Sequence, residues 1–266
     1  MLAAITVGIW AMIFMTALMR GMVDDMLING IRSMPGEVQI HHPLYRDDPS
    51  INNSIPEPGG ELLEALQGDE VAAWTSRVKV PAVISSERDS RGILLLGVEP
   101  ESEIEVSFDA DSIVEGRFLE SAEDRGLVIG RKMAEHLETR LGKRVVIMSQ
   151  DPDNNIADRG FRIVGIYTAK LASLEEMYVY AGRDTLQKML NIQGQVSEIV
   201  ATGDDYRYVD SWLPVIEHAA GDELETMSWQ QANRYLGSMM AMMDGFVLVW
   251  VFIIFLALSF GLVNTL

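Results

Sequence analysis

The sequence predicts an α+β fold, with two transmembrane helices bracketing a mixed α+β domain looped out between them. Three observations lead there. First, residues 1–19 and 245–263 hold no charged side chain, and the second run carries Phe246, Trp250, Phe252, Phe255 and Phe260. A helix of ~20 apolar residues crosses the ~30 Å hydrocarbon core, and a helix satisfies its own backbone there. Second, short β-branched runs alternate with short helical runs between them, with no exact internal repeat. Third, charge is confined to the middle. Only Asp24, Asp25 and Asp244 of 39 acidic residues, and Arg20 and Arg32 of 21 basic ones, lie outside it, leaving 36 against 19, a net −17. Solubility accounts for that excess, and a nucleic-acid binder would carry the opposite sign.

The elements follow in order. A first helix is expected from the start to about Gly30, broken by Met34-Pro35-Gly36. It has neither the basic leading region nor the small-residue cleavage site of a signal peptide, so it reads as a retained span. Residues 37–41 (EVQIH) alternate like a strand. Residues 43–60, with four prolines, read as a long irregular loop. Residues 61–67 form a short amphipathic helix stopped by Gly68. Strands are expected at 78–85 and 92–98, a turn at 116–123 and a short buried strand at 126–130. A helix at 131–141 should end at Gly142. Strands at 144–148 and 162–166 flank a polar turn at 150–160. A strand at 177–180, a helix at 184–190, a strand at 196–202 and a helix at 206–220 complete the domain. Ser228-Trp229-Gln230-Gln231 has capping-box form, and one helix is expected from Trp229 through Met243 into the second span, coupling domain to membrane. The domains expected are 1–32, 36–227 and 228–266. The chain begins inside one apolar run and stops at the edge of the other, as part of a longer protein would.

Chemistry-bearing motifs fail. There is no phosphate-binding GxxxxGK[ST], no GxGxxG, no HExxH and no GxSxG. The chain has no cysteine, hence neither disulfides nor thiol chemistry. His41 and His42 are adjacent, so on a strand they face opposite ways. Asp151, Asp153 and Asn155 mimic the first ligands of a calcium loop, but Ile156 and Arg162 occupy its glycine and glutamate positions, so a turn is expected. No catalytic, cofactor or metal residue is nominated, and the chain is not expected to be an enzyme. Asp244 reads as an interfacial residue at the membrane edge.

One pattern stands out. Met12, Met15, Met19, Met22 and Met26 recur at 3, 4, 3, 4 spacing and form one stripe on a helix. Met239, Met240, Met242 and Met243 crowd the approach to the second span. The stripe reads either as helix packing with methionine as filler or as a pliable apolar cavity for acyl or hydrophobic cargo. Unbranched, polarizable methionine suits both. The candidate cavity residues are Met12, Met15, Met19, Met22, Met26, Met239, Met240 and Met243.

Several stretches together resemble the MacB/FtsX-type permeases of ABC transporters, especially the lipoprotein-releasing (Lol-type) branch. They are EVQIHHPLY (37–45), LLLGVEP (94–100) with VEGRFL (114–119), GLVIGRKMAEHLETRLGKRVVIMS (126–149), FRIVGIYTAKLASLEEMYVYAGRDTLQKML (161–190), ETMSWQQ (225–231) and GLVNTL (261–266). The order and spacing of the set carry the resemblance over nearly the whole chain. It implies a bacterial inner-membrane, multi-pass permease subunit with a periplasmic domain at 36–227. Its partners would be cytoplasmic ABC ATPase subunits, a second permease (homodimer or paralogue), lipoprotein or other hydrophobic cargo, membrane lipids and a periplasmic carrier or adaptor, with no nucleic acid. No cofactor is expected in this chain; ATP and Mg would enter through the partner ATPase. The family has four spans where only two are present here. The alternatives are tripartite efflux of small molecules or peptides, and a non-transporting membrane-anchored receptor or scaffold.

Overall fold

The structure is a computed structural model that describes residues 2–32, 36–232, 238, 242, 245–250 and 252–256. The chain divides into two compact units, Met1–Met34 with Trp229–Leu266, and Pro35–Ser228.

In the first unit, helix α1 (Leu2–Arg32) contains residues 2–19 of the first apolar run, and Trp10 stacks on Phe14 one turn later, ring centroids 5.7 Å apart. The described parts of the second run, 245–250 and 252–256, are also helical. Among the described residues no helix is long and apolar enough to cross a membrane, so the two bracketing spans rest on the sequence. The expected continuous helix from Trp229 begins as α8 (Trp229–Ala232); its next residues, 233–237, lie outside the described ones.

Among its described residues the second unit contains twelve strands and six α-helices: β1 (Val38–His41), β2 (Ile55–Pro56), α2 (Gly60–Leu66), β3 (Ala73–Ser85), β4 (Ser90–Val98), α3 (Pro100–Val106), β5 (Ile113–Gly116), β6 (Gly126–Gly130), α4 (Arg131–His136), β7 (Arg144–Gln150), β8 (Ile156–Tyr167), α5 (Ala172–Met177), β9 (Tyr178–Gly182), α6 (Arg183–Leu190), β10 (Gln195–Val196), β11 (Glu198–Thr202), α7 (Val209–Ala220) and β12 (Glu225–Ser228). Six strands pair in a closed ring, β3-β4-β9-β6-β8-β7 and back to β3. Closure removes the free edges an open sheet would expose. The ring's interior is the main core. Val78, Val80, Ala82 and Ile84 alternate inward from β3, against Leu95, Leu127, Ile129, Ile147, Phe161 and Val179. Met133 and Leu137 after the β6 strand, and Leu186 and Leu190 of α6, join that cluster.

Strand β3 is long enough to belong to two structures. Residues 73–77 pair with β11 and 83–85 pair with β7. Pro81, which has no N–H to give, sits in the gap between those partners. Beyond β11 come β1 and then β12, forming a wing on the ring. Helix α7 packs on β12, on β1 and on α2, burying Val209, Trp212 and Ile216.

The structure corrects the sequence reading in several places. The loop at 43–60 is not wholly irregular: Ile51 and Ile55 are buried, and β2 pairs with β10. The helix expected at 131–141 stops at His136, and Glu138 adopts a left-handed φ of 46°. The polar turn expected at 150–160 is only residues 151–155, because Ile156 onward pairs with β7 down to Gln150. The strand expected at 196–202 is split at Ser197, whose N–H bonds the Arg77 carbonyl and whose hydroxyl lies on the Lys79 backbone. Helices α3 and α5 and strands β5 and β12 had no counterpart in the sequence reading.

Candidate functional site

Two places are candidates, the methionine stripe of the first unit and the wing of the second. On α1, Met15, Met19, Met22 and Met26 are all exposed, Met22 at 67%. The side chain of Met12 is not among those described, and Met239, Met240 and Met243 lie outside the described residues. Trp10, Ile13, Phe14 and Leu18 are exposed as well, so large apolar surface reaches beyond the stripe. Apolar exposure on this scale marks an interaction surface.

The wing holds the two strands that continue into the first unit's helices. Five residues separate the end of α1 from β1, and β12 runs directly into α8. These strands are antiparallel neighbours, with Val38, the first residue of β1, opposite Ser228, the last of β12. The chain thus enters and leaves its folded domain at one pair of residues. Gly36, at φ 62°, makes the turn into β1, and a side chain there would meet Val200 and the Ala201 carbonyl, so only glycine suits it.

In the same wing, at the other end of β1 and on the strands beyond it, lies a buried ionic network that sequence reasoning missed. Arg77 of β3 is fully buried. Its Nε and one terminal nitrogen each donate to a carboxylate oxygen of Glu103 on α3, both at 2.8 Å, and the same terminal nitrogen donates to the Ser107 hydroxyl at 2.8 Å. Its other terminal nitrogen lies 3.5 Å from Glu198 of β11, whose second oxygen accepts from Lys79 Nζ at 3.1 Å. Burial pulls the Arg77 guanidinium toward losing its proton, but Glu103 and Glu198 outweigh it and hold the pKa above the usual arginine value. Burial likewise pushes Glu198 up, yet Lys79 and Arg77 win and its carboxyl stays below the ordinary range. The network is charged on both sides. Arg77 and Glu198 lie 121 residues apart, a spacing that leaves no local signal.

The other polar groups singled out in the sequence are structural. The Asp151 carboxylate accepts from the Asp153 and Asn155 N–H groups and from the Asn155 side chain, closing the β7–β8 hairpin as the expected turn. His41 is buried and His42 half-buried. Among the described residues no cluster of His, Asp and Glu is placed to hold a metal ion.

Comparison with known proteins supplies what the geometry alone does not. The family described as MacB-like periplasmic core domain matches residues 1–212. No curated protein matches the chain. Among solved structures, the extracellular domain of the noncanonic ABC-type transporter YknZ from Gram-positive bacteria is similar at TM-score 0.51 and 15% identity, over 72% of this chain and 99% of that one. The periplasmic region of MacB from Actinobacillus actinomycetemcomitans is similar at TM-score 0.52 and 13% identity, over 80% of this chain and 95% of that one. At those identities the likeness is one of fold.

Proposed function

Because this chain belongs to the MacB-like periplasmic core domain family of ABC-type transporter permeases, we propose that it is a permease subunit that extracts hydrophobic cargo, lipoproteins first, from the inner membrane. In this reading residues 1–32 and 228–266 carry two of the spans, and the domain of residues 36–227 stands in the periplasm. A second permease and two cytoplasmic ATPases complete the machine; ATP and Mg are bound by the ATPases, and this chain hydrolyses nothing. The observation that supports it most is the pairing of Val38 with Ser228. A change in the separation or tilt of two helices continuing from these strands acts on adjacent, hydrogen-bonded backbone, so ATP-driven closure would move the domain as a lever and push cargo outward. The exposed methionine face of α1 supplies the cargo surface.

The test is substitution along that face in the assembled complex. Met19→Gln and Met22→Gln place an amide where acyl chains would pack. An unpartnered amide costs roughly 1–3 kcal/mol, so cargo crosslinking should fall about tenfold while expression and complex assembly hold. Met→Leu keeps volume and apolarity and should be tolerated. Loss of assembly together with cargo would make the stripe ordinary helix packing and remove the cargo-surface reading.

A further inference from the structure

The register of the wing places ionisable residues in a single row across four strands. Glu225 of β12 lies opposite His41 of β1, His41 opposite Glu198 of β11, and Glu198 opposite Arg77 of β3. Residues directly opposite share a face of the sheet. The row continues through the bidentate Arg77–Glu103 pair into α3, and Ser107, next to the helix end, donates to Glu103 at 2.6 Å. At its outer end His41 Nδ1 lies 3.8 Å from the Glu225 carboxylate and 3.0 Å from the His42 carbonyl. A carbonyl only accepts, so that bond needs the proton on Nδ1. The Tyr45 ring stands 5.9 Å from the imidazole, and its hydroxyl donates to the Lys79 carbonyl. His41, Glu198, Arg77 and Glu103 are buried, and only Glu225 at the sheet edge reaches water.

Such a row is not explained by stability. Replacing a buried ion pair with well-packed apolar residues is often neutral or stabilising, and fixing register is the best-attested use of buried charge. A one-residue slip of β1 against β12 would turn His41 to the other face and break the row. Buried networks are also where neighbouring groups couple most strongly.

We propose that Glu225, His41, Glu198, Arg77 and Glu103 form a linkage that ties the helix-bearing strand pair to α3, so that displacement of β12 along β1 is felt at α3, which packs on β3 and β11. The linkage gives α3 a role as the reporting element of the domain. Its outer face presents the exposed Ile104. The functional meaning rests on the permease reading above, whereas the linkage itself is a property of the resting domain and is tested without transport.

The experiment is amide hydrogen exchange, read by mass spectrometry, on the full chain in detergent. Glu225→Gln alters only the half-exposed outer end and should leave the fold intact. It should speed exchange in β12 and β1, and also in residues 100–106 of α3, by about twofold to tenfold, the lower part of the coupling expected between members of one network. Ser107→Ala, which removes a single hydroxyl at the other end, should speed exchange in α3 and return the effect to β12. Arg88→Gln, which breaks the exposed Arg88–Glu138 pair elsewhere, should change neither. Changes confined to the strand or helix that carries the substitution, or no change in either, would overturn the linkage. A linkage that holds while transport variants fail the permease test would sink the function and leave this inference standing.

Discussion

At the scale of single residues, the Arg77 network separates what is costly to break from what is costly to omit. Arg77→Met leaves Glu103 buried with the Ser107 hydroxyl still donating to it, whereas Glu198 keeps Lys79. Removing one partner of a buried pair typically costs about 3–5 kcal/mol, or about 10 °C in Tm for a domain of this size. The double substitution R77M with E103L removes both charges and should recover most of that loss. Thermal melts of the two variants check it; equal destabilisation by both would mean that packing around the guanidinium matters and its charge does not. None of this was legible in the sequence. An arginine on an alternating strand reads as solvent-facing, and what buries it is α3, an element without a clear hydrophobic period. The aspartate turn was legible, because Asp151 bonds groups within four residues of itself.

At the scale of elements, local rules located what local forces build. β6 is a short apolar run buried throughout, and the sequence reading has its bounds. The strands β7 and β8 were found but cut short, because their outer ends carry polar residues on the exposed face while alternation continues inside. Helices α4 and α5 are short and held by each other and by the sheet, so propensity alone does not mark their ends. Their contact runs through Gly130, where β6 turns into α4. A side chain there would have its Cβ 2.2 Å from the Glu175 carbonyl oxygen and 2.5 Å from its Cα. Both are backbone atoms and cannot swing aside. Glu175 also accepts from the Lys132 and Ala169 N–H groups, so moving it uncaps α4. Gly130→Ala should therefore destabilise by about 1–3 kcal/mol, the cost of overpacking a tight site. Gly142→Ala, in open space but at φ 81°, tests strain without crowding, and its loss should be smaller. Urea unfolding of both decides; a Gly142 variant as unstable as the Gly130 one would show that backbone strain dominates and the close approach matters little.

At the scale of the whole molecule, the closed ring and its wing were beyond the sequence, because closure depends on β3 pairing with β4 on one edge and with β7 on the other, while its residues 73–77 carry the wing. The mixed α+β class of the middle domain was legible because short β-branched runs alternate there with short helical ones, whereas the two bracketing spans rest only on the change of period and composition where the apolar runs give way to the acidic domain. That change carries the last expectation, which concerns sidedness. Two apolar runs that both cross the membrane must return the chain to its starting side, so residues 36–227 lie wholly on one side. The net charge of −17 in the middle of the chain would oppose burying any of it in lipid. The chain has no cysteine, so single thiols report without background. Ser50 stands in the loop before β2 and Asp153 at the tip of the β7–β8 hairpin; Asp153 makes only a backbone bond to Asp151, and Ser50 only a hydroxyl bond to Asp48 and a carbonyl bond to Asn53. Neither substitution should disturb the fold. In whole cells with a permeabilised outer membrane, Ser50→Cys and Asp153→Cys should both react with a membrane-impermeant thiol reagent. If both stay protected until the inner membrane is broken, the domain is cytoplasmic and the permease reading falls. If one reacts and the other does not, the two runs do not bracket a single looped-out domain, and the α1 and 245–263 segments would need another reading than a pair of spans.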